Sequence, residues 1–164
     1  MPGSWKTSIW KALAEKTWMN LIDFDDDTIE WNMWKKVSKL LEELWEEEFL
    51  ELEENLALEL QLSNSILSTS GSLPLSVKAM EHLKLQWDII YINIPISTIK
   101  TRLERMKVNR IVWKKNMTMD EILEYRHTFY DNSYTHRFNT DWLKSKEIIF
   151  DEFWEWFKLQ IEKK

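Results

Sequence analysis

The sequence predicts an α/β fold, a three-layer sandwich in which a parallel sheet is flanked by helices. Three observations predict it. Short apolar runs alternate with helical stretches, the pattern of parallel strands joined by crossover helices. The clearest run, Asp88-Ile89-Ile90-Tyr91-Ile92-Asn93-Ile94, is stopped by Pro95. The chain also opens Met1-Pro2-Gly3-Ser4-Trp5-Lys6-Thr7-Ser8, a Lys-Thr pair entering a helical run, as in the turn that links a strand to a helix around phosphate.

The elements follow in order. Ser8 to Lys16 places Ile9, Ala12 and Leu13 at helical spacing. Met19 to Phe24 is a short apolar run, read as a buried strand that empties into Asp25-Asp26-Asp27. Ile29 to Leu62 reads as mostly helical with breaks near Trp34 and Trp45, and its acidic faces such as Glu46-Glu47-Glu48 read as solvated surface. Ser65 to Thr69 is a second strand, and Ser70-Gly71-Ser72-Leu73-Pro74 is the loop after it. Val77 to Gln86 and Ser97 to Met106 are helices on either side of the Asp88–Ile94 strand. Lys107 to Asn116 is a basic loop without apolar period; Met119 to Tyr134 is a helix, His136 to Thr140 an edge strand, and Lys146 to Lys163 the closing helix.

At 164 residues the chain is expected to form one domain over 1–164. Hydrophobic residues make up 44% and charged residues 30%, ordinary for a globular protein. The net charge of −6 gives no broad basic footprint, so no nucleic-acid partner is expected. Without cysteine there is no disulfide, no cysteine nucleophile and no protein-bound iron–sulfur cluster. No run is long enough to span a bilayer and no signal peptide is recognisable, so the expectations are no membrane and a cytoplasmic location. His82, His127 and His136 have no metal-ligand spacing and read as surface or supporting groups.

One count is abnormal: two glycines against eleven tryptophans, where average usage gives roughly a dozen glycines. Several tryptophans stand where turns select glycine: Trp5 in the opening turn, Trp18 after the first helix, Trp45 between two helical runs, Trp87 before a strand and Trp113 in the basic loop. Trp10, Trp34 and Trp142 resemble them less strongly, and Trp31, Trp154 and Trp156 lack the signature. The expectation is that many of these codons are UGA, read as glycine in some organisms and tryptophan in others. Engineered Gly-to-Trp replacement and a naturally Trp-rich chain are the alternatives.

A glycine ahead of Met1 and another at position 5 would complete G-x-x-x-x-G-K-T, whose backbone N–H groups cradle phosphate. In that reading Gly3, Ser4, Trp5, Lys6, Thr7 and Ser8 form the nucleotide-binding turn, with the Trp5 indole crowding it. Such a turn follows a strand, so the first strand of the sheet is expected to lie ahead of residue 1, and the chain as it stands is expected to fold poorly or rearrange.

The order of phosphate turn, acidic strand end, Ser/Gly loop, basic lid and Arg-bearing helix resembles the shikimate kinase family of P-loop kinases over nearly the whole chain. Leu21-Ile22-Asp23-Phe24-Asp25-Asp26-Asp27, Trp31-Asn32-Met33 and Asn109-Arg110-Ile111-Val112 are closer still to the shikimate-kinase-like domain of threonine synthase-like proteins. The resemblance implies transfer of the ATP γ-phosphate to a hydroxyl of a small carboxylic acid, shikimate or a related acceptor of aromatic amino acid biosynthesis, with ATP and Mg²⁺ as cofactors. It implies that Lys6 reaches the terminal phosphates, that Thr7 binds Mg²⁺ with Asp23 supporting it through water, and that Asp25 engages the acceptor hydroxyl. A register using Asp26 also remains open, and the acidic cluster reads equally as a helix N-terminus favoured by the dipole.

By the same resemblance the substrate loop falls on Ser70-Gly71-Ser72, the lid spans about 107–118 with Arg110 over the phosphates, and Arg126 holds the acceptor's carboxylate. A second carboxylate-binding arginine should precede Glu53, but Leu50 stands there, which weakens the case for shikimate itself. The expected assembly is a monomer, or a domain fused to or associated with a biosynthetic enzyme. A non-catalytic domain that binds a ligand or partner is the alternative function.

Overall fold

The structure, a computed structural model, describes residues 6–105, 117–140 and 144–161. The first helix, α1 (Lys6–Thr17), buries Ile9, Trp10 and Leu13 on one face, as their i, i+1 and i+4 spacing dictates. Two residues later the chain enters β1 (Asn20–Asp23). A wide helical stretch, Phe24–Glu30, follows and runs into the short α2 (Trp31–Met33). Next come α3 (Val37–Glu43) and α4 (Glu46–Leu58), so the breaks expected near Trp34 and Trp45 are present. Glu30 Oε1 accepts from Val37 N at 3.0 Å at the start of α3, and Glu48 Oε2 accepts from Trp45 N at 2.8 Å at the start of α4. Each satisfies a backbone donor that helix starts leave unpaired.

After β2 (Ser65–Ser68), a single tight turn at Leu73–Leu75 leads to α5 (Val77–Gln86). Ser76 Oγ caps α5 by accepting from Ala79 N at 3.0 Å. Then come β3 (Ile90–Asn93), α6 (Ile96–Arg105), α7 (Met119–Asn132), β4 (His136–Asn139) and α8 (Lys146–Ile161). Thr118 and Glu121 form a reciprocal capping box at the start of α7.

Among the described residues the strands form two parallel pairs. β1 lies beside β2 with Asn20 opposite Ser65 and Asp23 opposite Ser68, and β3 lies beside β4 with Ile90 opposite His136 and Asn93 opposite Asn139. A cavity of about 390 Å³ separates the pairs, with Ser65, Ile66 and Leu67 on one side and Ile90, Tyr91 and Ile92 on the other.

The core is likewise double. Phe24, Ile29, Val37, Leu40, Phe49 and Leu73 gather with α5 beside the first pair, and α1, α6, α7 and α8 gather around Tyr91, Ile92 and Phe138 of the second.

The tryptophans divide by backbone. Trp18 (φ 57°) and Trp34 (φ 51°) are held in the left-handed region, and they are 88% and 85% exposed. Non-glycine residues are strained there and these indoles have little packing to offset it, so both positions have the conformation glycine supplies. Trp45 (φ −68°) and Trp87 (φ −140°) have extended backbones open to any residue, which removes the conformational case for glycine at these two. Trp10 is buried, its ring edge-on to Phe153 at 5.6 Å between centroids. Trp5, Trp113 and Trp142 lie outside the described residues.

Candidate functional site: a buried arginine and glutamate near the start of the first helix

Two of the expected site residues are set where β1 ends. Asp23 Oδ1 accepts from Asp25 N at 3.1 Å, and Asp23 N donates to Asp27 Oδ2 at 2.7 Å. The acidic run therefore caps the wide helical stretch, and the same cap fixes Asp25 relative to the strand. This is the helix-start reading of the cluster, with acids where the dipole favours them.

The loop after β2 supplies Ser70, Gly71 and Ser72. Ser70 Oγ accepts from Leu73 N at 2.9 Å, which closes the loop into the turn before α5. The Gly71 carbonyl oxygen accepts from Tyr130 Oη at 2.8 Å and from Arg126 Nη1 at 3.5 Å. Arg126 and Tyr130 are four residues apart on α7, so both project from one face onto this carbonyl. Arg126 is buried to 3% exposure, and that burial lowers its pKa, though a guanidinium remains charged.

Glu53 completes the pocket. It lies on the buried face of α4 with Phe49 and Ala57, at i−4 and i+4. The side chain is 1% exposed, and neither carboxylate oxygen has a hydrogen-bond partner. Burial pushes its pKa up to about 7; the Ser70 and Ser72 hydroxyls and the Arg126 charge pull it down, while Asp25 adds to the rise. The Asp25 charge also acts on Tyr130, whose phenol is raised mainly by burial. Asp25, Glu53, Ser70, Ser72, Arg126 and Tyr130 thus sit in one electrostatic neighbourhood.

The residues expected to face phosphate start α1. Lys6 is half-buried, whereas Thr7 and Ser8 are exposed. Lys6 lines the central cavity together with Thr69 and Tyr130, which puts the helix start on the same side as the acceptor pocket. A helix N-terminus carrying Lys and Thr suits a nucleotide phosphate with its Mg²⁺, a cation that takes few protein ligands and keeps water and phosphate oxygens. Among the described residues there is no cluster of three His, Cys, Asp or Glu side chains suited to a metal. Gly3, Ser4, Trp5 and Arg110 lie outside the described residues, as does most of the 107–118 lid.

Sequence reasoning groups Asp23, Asp25, Gly71 and Arg126; in the structure Asp23 ends β1, Asp25 lies in the stretch after it, and Arg126, in the middle of α7, donates to the Gly71 carbonyl. It misses Glu53 and Tyr130 as pocket residues. Both carried a signal: an acid at the buried i, i+4 positions of an otherwise acidic-faced helix, and a phenol one turn beyond the arginine.

Comparison with known proteins shows the family and the fold. The shikimate kinase family matches residues 2–158. Human threonine synthase-like 1 is 34% identical over 154 residues, 92% of this chain; the chain spans only 20% of that protein's length. Shikimate kinase from Parabacteroides distasonis is 31% identical over 135 residues, covering 78% of each chain. The solved structure of shikimate kinase from Bacteroides thetaiotaomicron superposes with a TM-score of 0.75 at 27% identity, over 96% of this chain and 94% of that one. With the family model matched over most of its length and a shikimate kinase relative 31% identical, this chain belongs to the shikimate kinase family.

Proposed function

We propose that this domain is a phosphotransferase that moves the γ-phosphate of Mg²⁺-ATP to a hydroxyl of a small carboxylic acid. The observation that carries the reading is the buried arginine, Arg126, which donates to the Gly71 carbonyl alongside Tyr130, a residue that lines the same cavity as Lys6. A buried guanidinium is poised for a carboxylate, which it binds with directional, charge-assisted hydrogen bonds.

ATP with its Mg²⁺ would supply the phosphoryl group and part of the charge neutralisation. Lys6 would draw negative charge from the terminal phosphates, and the Thr7 hydroxyl would ligate the cation with Asp23 behind it. Asp25 would orient the acceptor hydroxyl and take its proton, Arg126 would hold the acceptor's carboxylate, and Arg110 would cover the phosphates from the lid. Catalysis of this kind rests on positioning and electrostatics rather than a covalent intermediate.

A related shikimate kinase, from Acinetobacter baumannii, has been solved in complex with shikimate, and that acid is the first acceptor to test. Leu50 favours a second reading, a non-catalytic ligand- or partner-binding domain within a longer protein, as the 20% span of the threonine synthase-like relatives would allow. Release of ADP by a Trp5→Gly chain preceded by a strand and a glycine separates the two. Turnover that needs both Mg²⁺ and a hydroxy acid, and that Lys6→Ala abolishes, is expected of the kinase. Absence of Mg²⁺-ATP binding by that restored chain would sink it. The chain with Trp5 in place is expected to bind nucleotide weakly or not at all, and tight binding in a titration would contradict that.

A further inference from the structure

We infer, resting on the phosphotransferase reading above, that the acceptor is a hydroxyl-bearing α-amino acid whose ammonium group pairs with Glu53 while its carboxylate pairs with Arg126. The starting point is charge. Among the described residues, the charged groups that act on Glu53, Arg126 and Tyr130 are one cation, Arg126, and three acids, Asp25, Glu46 and Glu53. Glu46, Leu50 and Glu53 follow one another along one face of α4. The position between the two acids, where a second cation would balance them, is therefore apolar. A plain hydroxy acid would bring a further anion and spend Arg126 on it, leaving Glu53 as a buried carboxylate without a counter-charge, which is costly. An amino acid brings its own cation and adds no net charge.

Glu53 is also the group that lacks a partner. It is 1% exposed, and among the described residues neither of its oxygens has a hydrogen-bond partner. Burial is the largest influence on its carboxyl and the Arg126 charge the smallest, so the arginine does not serve as its counter-ion. The placement suits two charges on one carbon. Arg126 Nη1 donates to the Gly71 carbonyl, and the hydroxyls of Ser70 and Ser72, on either side of Gly71, act on Glu53. Cation and acid thus converge on three consecutive loop residues, as the carboxylate and ammonium of an α-amino acid require. The Arg126 contact with Gly71, at 3.5 Å, is long for a hydrogen bond and yields readily to a carboxylate. Asp25, which also acts on Glu53, would face the side-chain hydroxyl. In the transfer the hydroxyl oxygen bonds to the γ-phosphorus, the bond from that phosphorus to ADP breaks, and the hydroxyl proton passes to Asp25. The products are ADP and an O-phospho amino acid.

The test is a binding titration of this chain at neutral pH, without nucleotide, against two matched pairs that differ by one ammonium group: L-serine with 3-hydroxypropanoate, and L-homoserine with 4-hydroxybutyrate. The tighter-binding amino acid is expected to exceed its partner acid by roughly tenfold or more. Glu53→Gln keeps the shape of the side chain and should cut that preference to about twofold or less. Leu50→Arg, which adds a cation at the half-buried position one turn away, should reverse it, and it reads the same preference if Glu53→Gln melts. Arg126→Ala should weaken both members of a pair alike.

A hydroxy acid that binds as tightly as its amino acid would overturn the inference. So would a preference untouched by Glu53→Gln and Leu50→Arg, or no binding of any of the four ligands up to about 10 mM. Because binding is read without ATP, a preserved preference in a domain that transfers no phosphate would count against the kinase reading alone.

Discussion

The proposed acceptor side and the proposed phosphate side of this molecule are built differently. On the acceptor side Arg126, Glu53, Ser70 and Ser72 are buried, and the Gly71 carbonyl is held by two side chains of α7. On the phosphate side Lys6 is half-buried while Thr7 and Ser8 are exposed at the first turn of a helix. The proposed acceptor pocket gets its shape from packing between α4, α7 and the loop after β2. A helix start offers only dipole and backbone donors, and depends on the chain ahead of it for its geometry. One half is preorganised by the core, and the other waits on its neighbours.

The largest effect should come from cutting the acceptor side at its charge. Arg126→Ala in a chain with an intact phosphate turn is expected to weaken binding of a carboxylate acceptor about 100-fold, while nucleotide affinity stays within a few-fold. Titration with acceptor and with Mg²⁺-ATP separately gives both numbers. Equal losses for both ligands would erase the distinction between the halves.

Glu53→Gln sharpens the comparison through pH. The Glu53 carboxyl titrates at about 7 in the folded protein against 4.5 as the ordinary value, so between those pH values the folded state binds more protons than the unfolded one. Below pH 4.5 both states are protonated and Glu53 costs nothing. Stability falls by about 3 kcal/mol as pH rises from 4.5 to about 7 and levels off above that, where the folded state holds a buried carboxylate. Glu53→Gln is expected to match the parent in denaturant melts near pH 4 and to exceed it near pH 8. Leu50→Arg, one turn earlier on α4, should flatten the same dependence by giving the carboxylate a cation. A parent stability that does not fall across this window would show the pocket to be wet.

How legible each half was follows from the same contrast. Lys6-Thr7 is a local motif, so it could be read directly; Asp23-Phe24-Asp25 was assigned by resemblance, helped by the local apolar run that marks the strand it ends. Arg126 was placed by resemblance and then found on Gly71, 55 positions away. Glu53 was hidden because sequence marks it as one more acid in a helix rich in them; only packing shows that α4 turns this one inward. The alternation of strands and helices was legible throughout, with boundaries moving by a few residues. The division of the sheet into two pairs was not, since pairing partners lie 45 or more positions apart. Glycine-like tryptophans were legible at Trp18 but misread at Trp45 and Trp87, whose turns use extended backbone.

Away from both halves, Trp18→Gly and Trp34→Gly should each stabilise the fold by about 1 kcal/mol, because the left-handed conformation is relieved and an exposed indole gives up little burial. Trp34 also stacks on Trp31 at 5.7 Å between centroids, so its gain should be the smaller of the two. Trp10→Gly is the control: it removes a buried ring from the α1–α8 contact and should destabilise by about 3 kcal/mol or more. Thermal melts of the three variants rank them, and a gain at Trp10 would undo the division. UGA at codons 18 and 34 would give the same answer from the gene.

The smallest effect tests how rigid the acceptor side is. Tyr130→Phe removes one hydroxyl, the donor at 2.8 Å from the Gly71 carbonyl, and leaves the ring against Tyr91 at 5.5 Å between centroids. Losing a buried hydrogen bond of this kind costs about 1 kcal/mol, so the thermal midpoint should fall slightly. Arg126 Nη1, at 3.5 Å, is too long to replace that bond without moving. If the pocket is held by packing, the arginine stays put and acceptor affinity falls by only a few-fold. If the arginine shifts onto the vacated carbonyl, it is lost to the acceptor, and affinity drops nearly as far as in Arg126→Ala. The ratio of those two losses measures how much of the acceptor side's preorganisation comes from α7 packing and how much from a single hydroxyl.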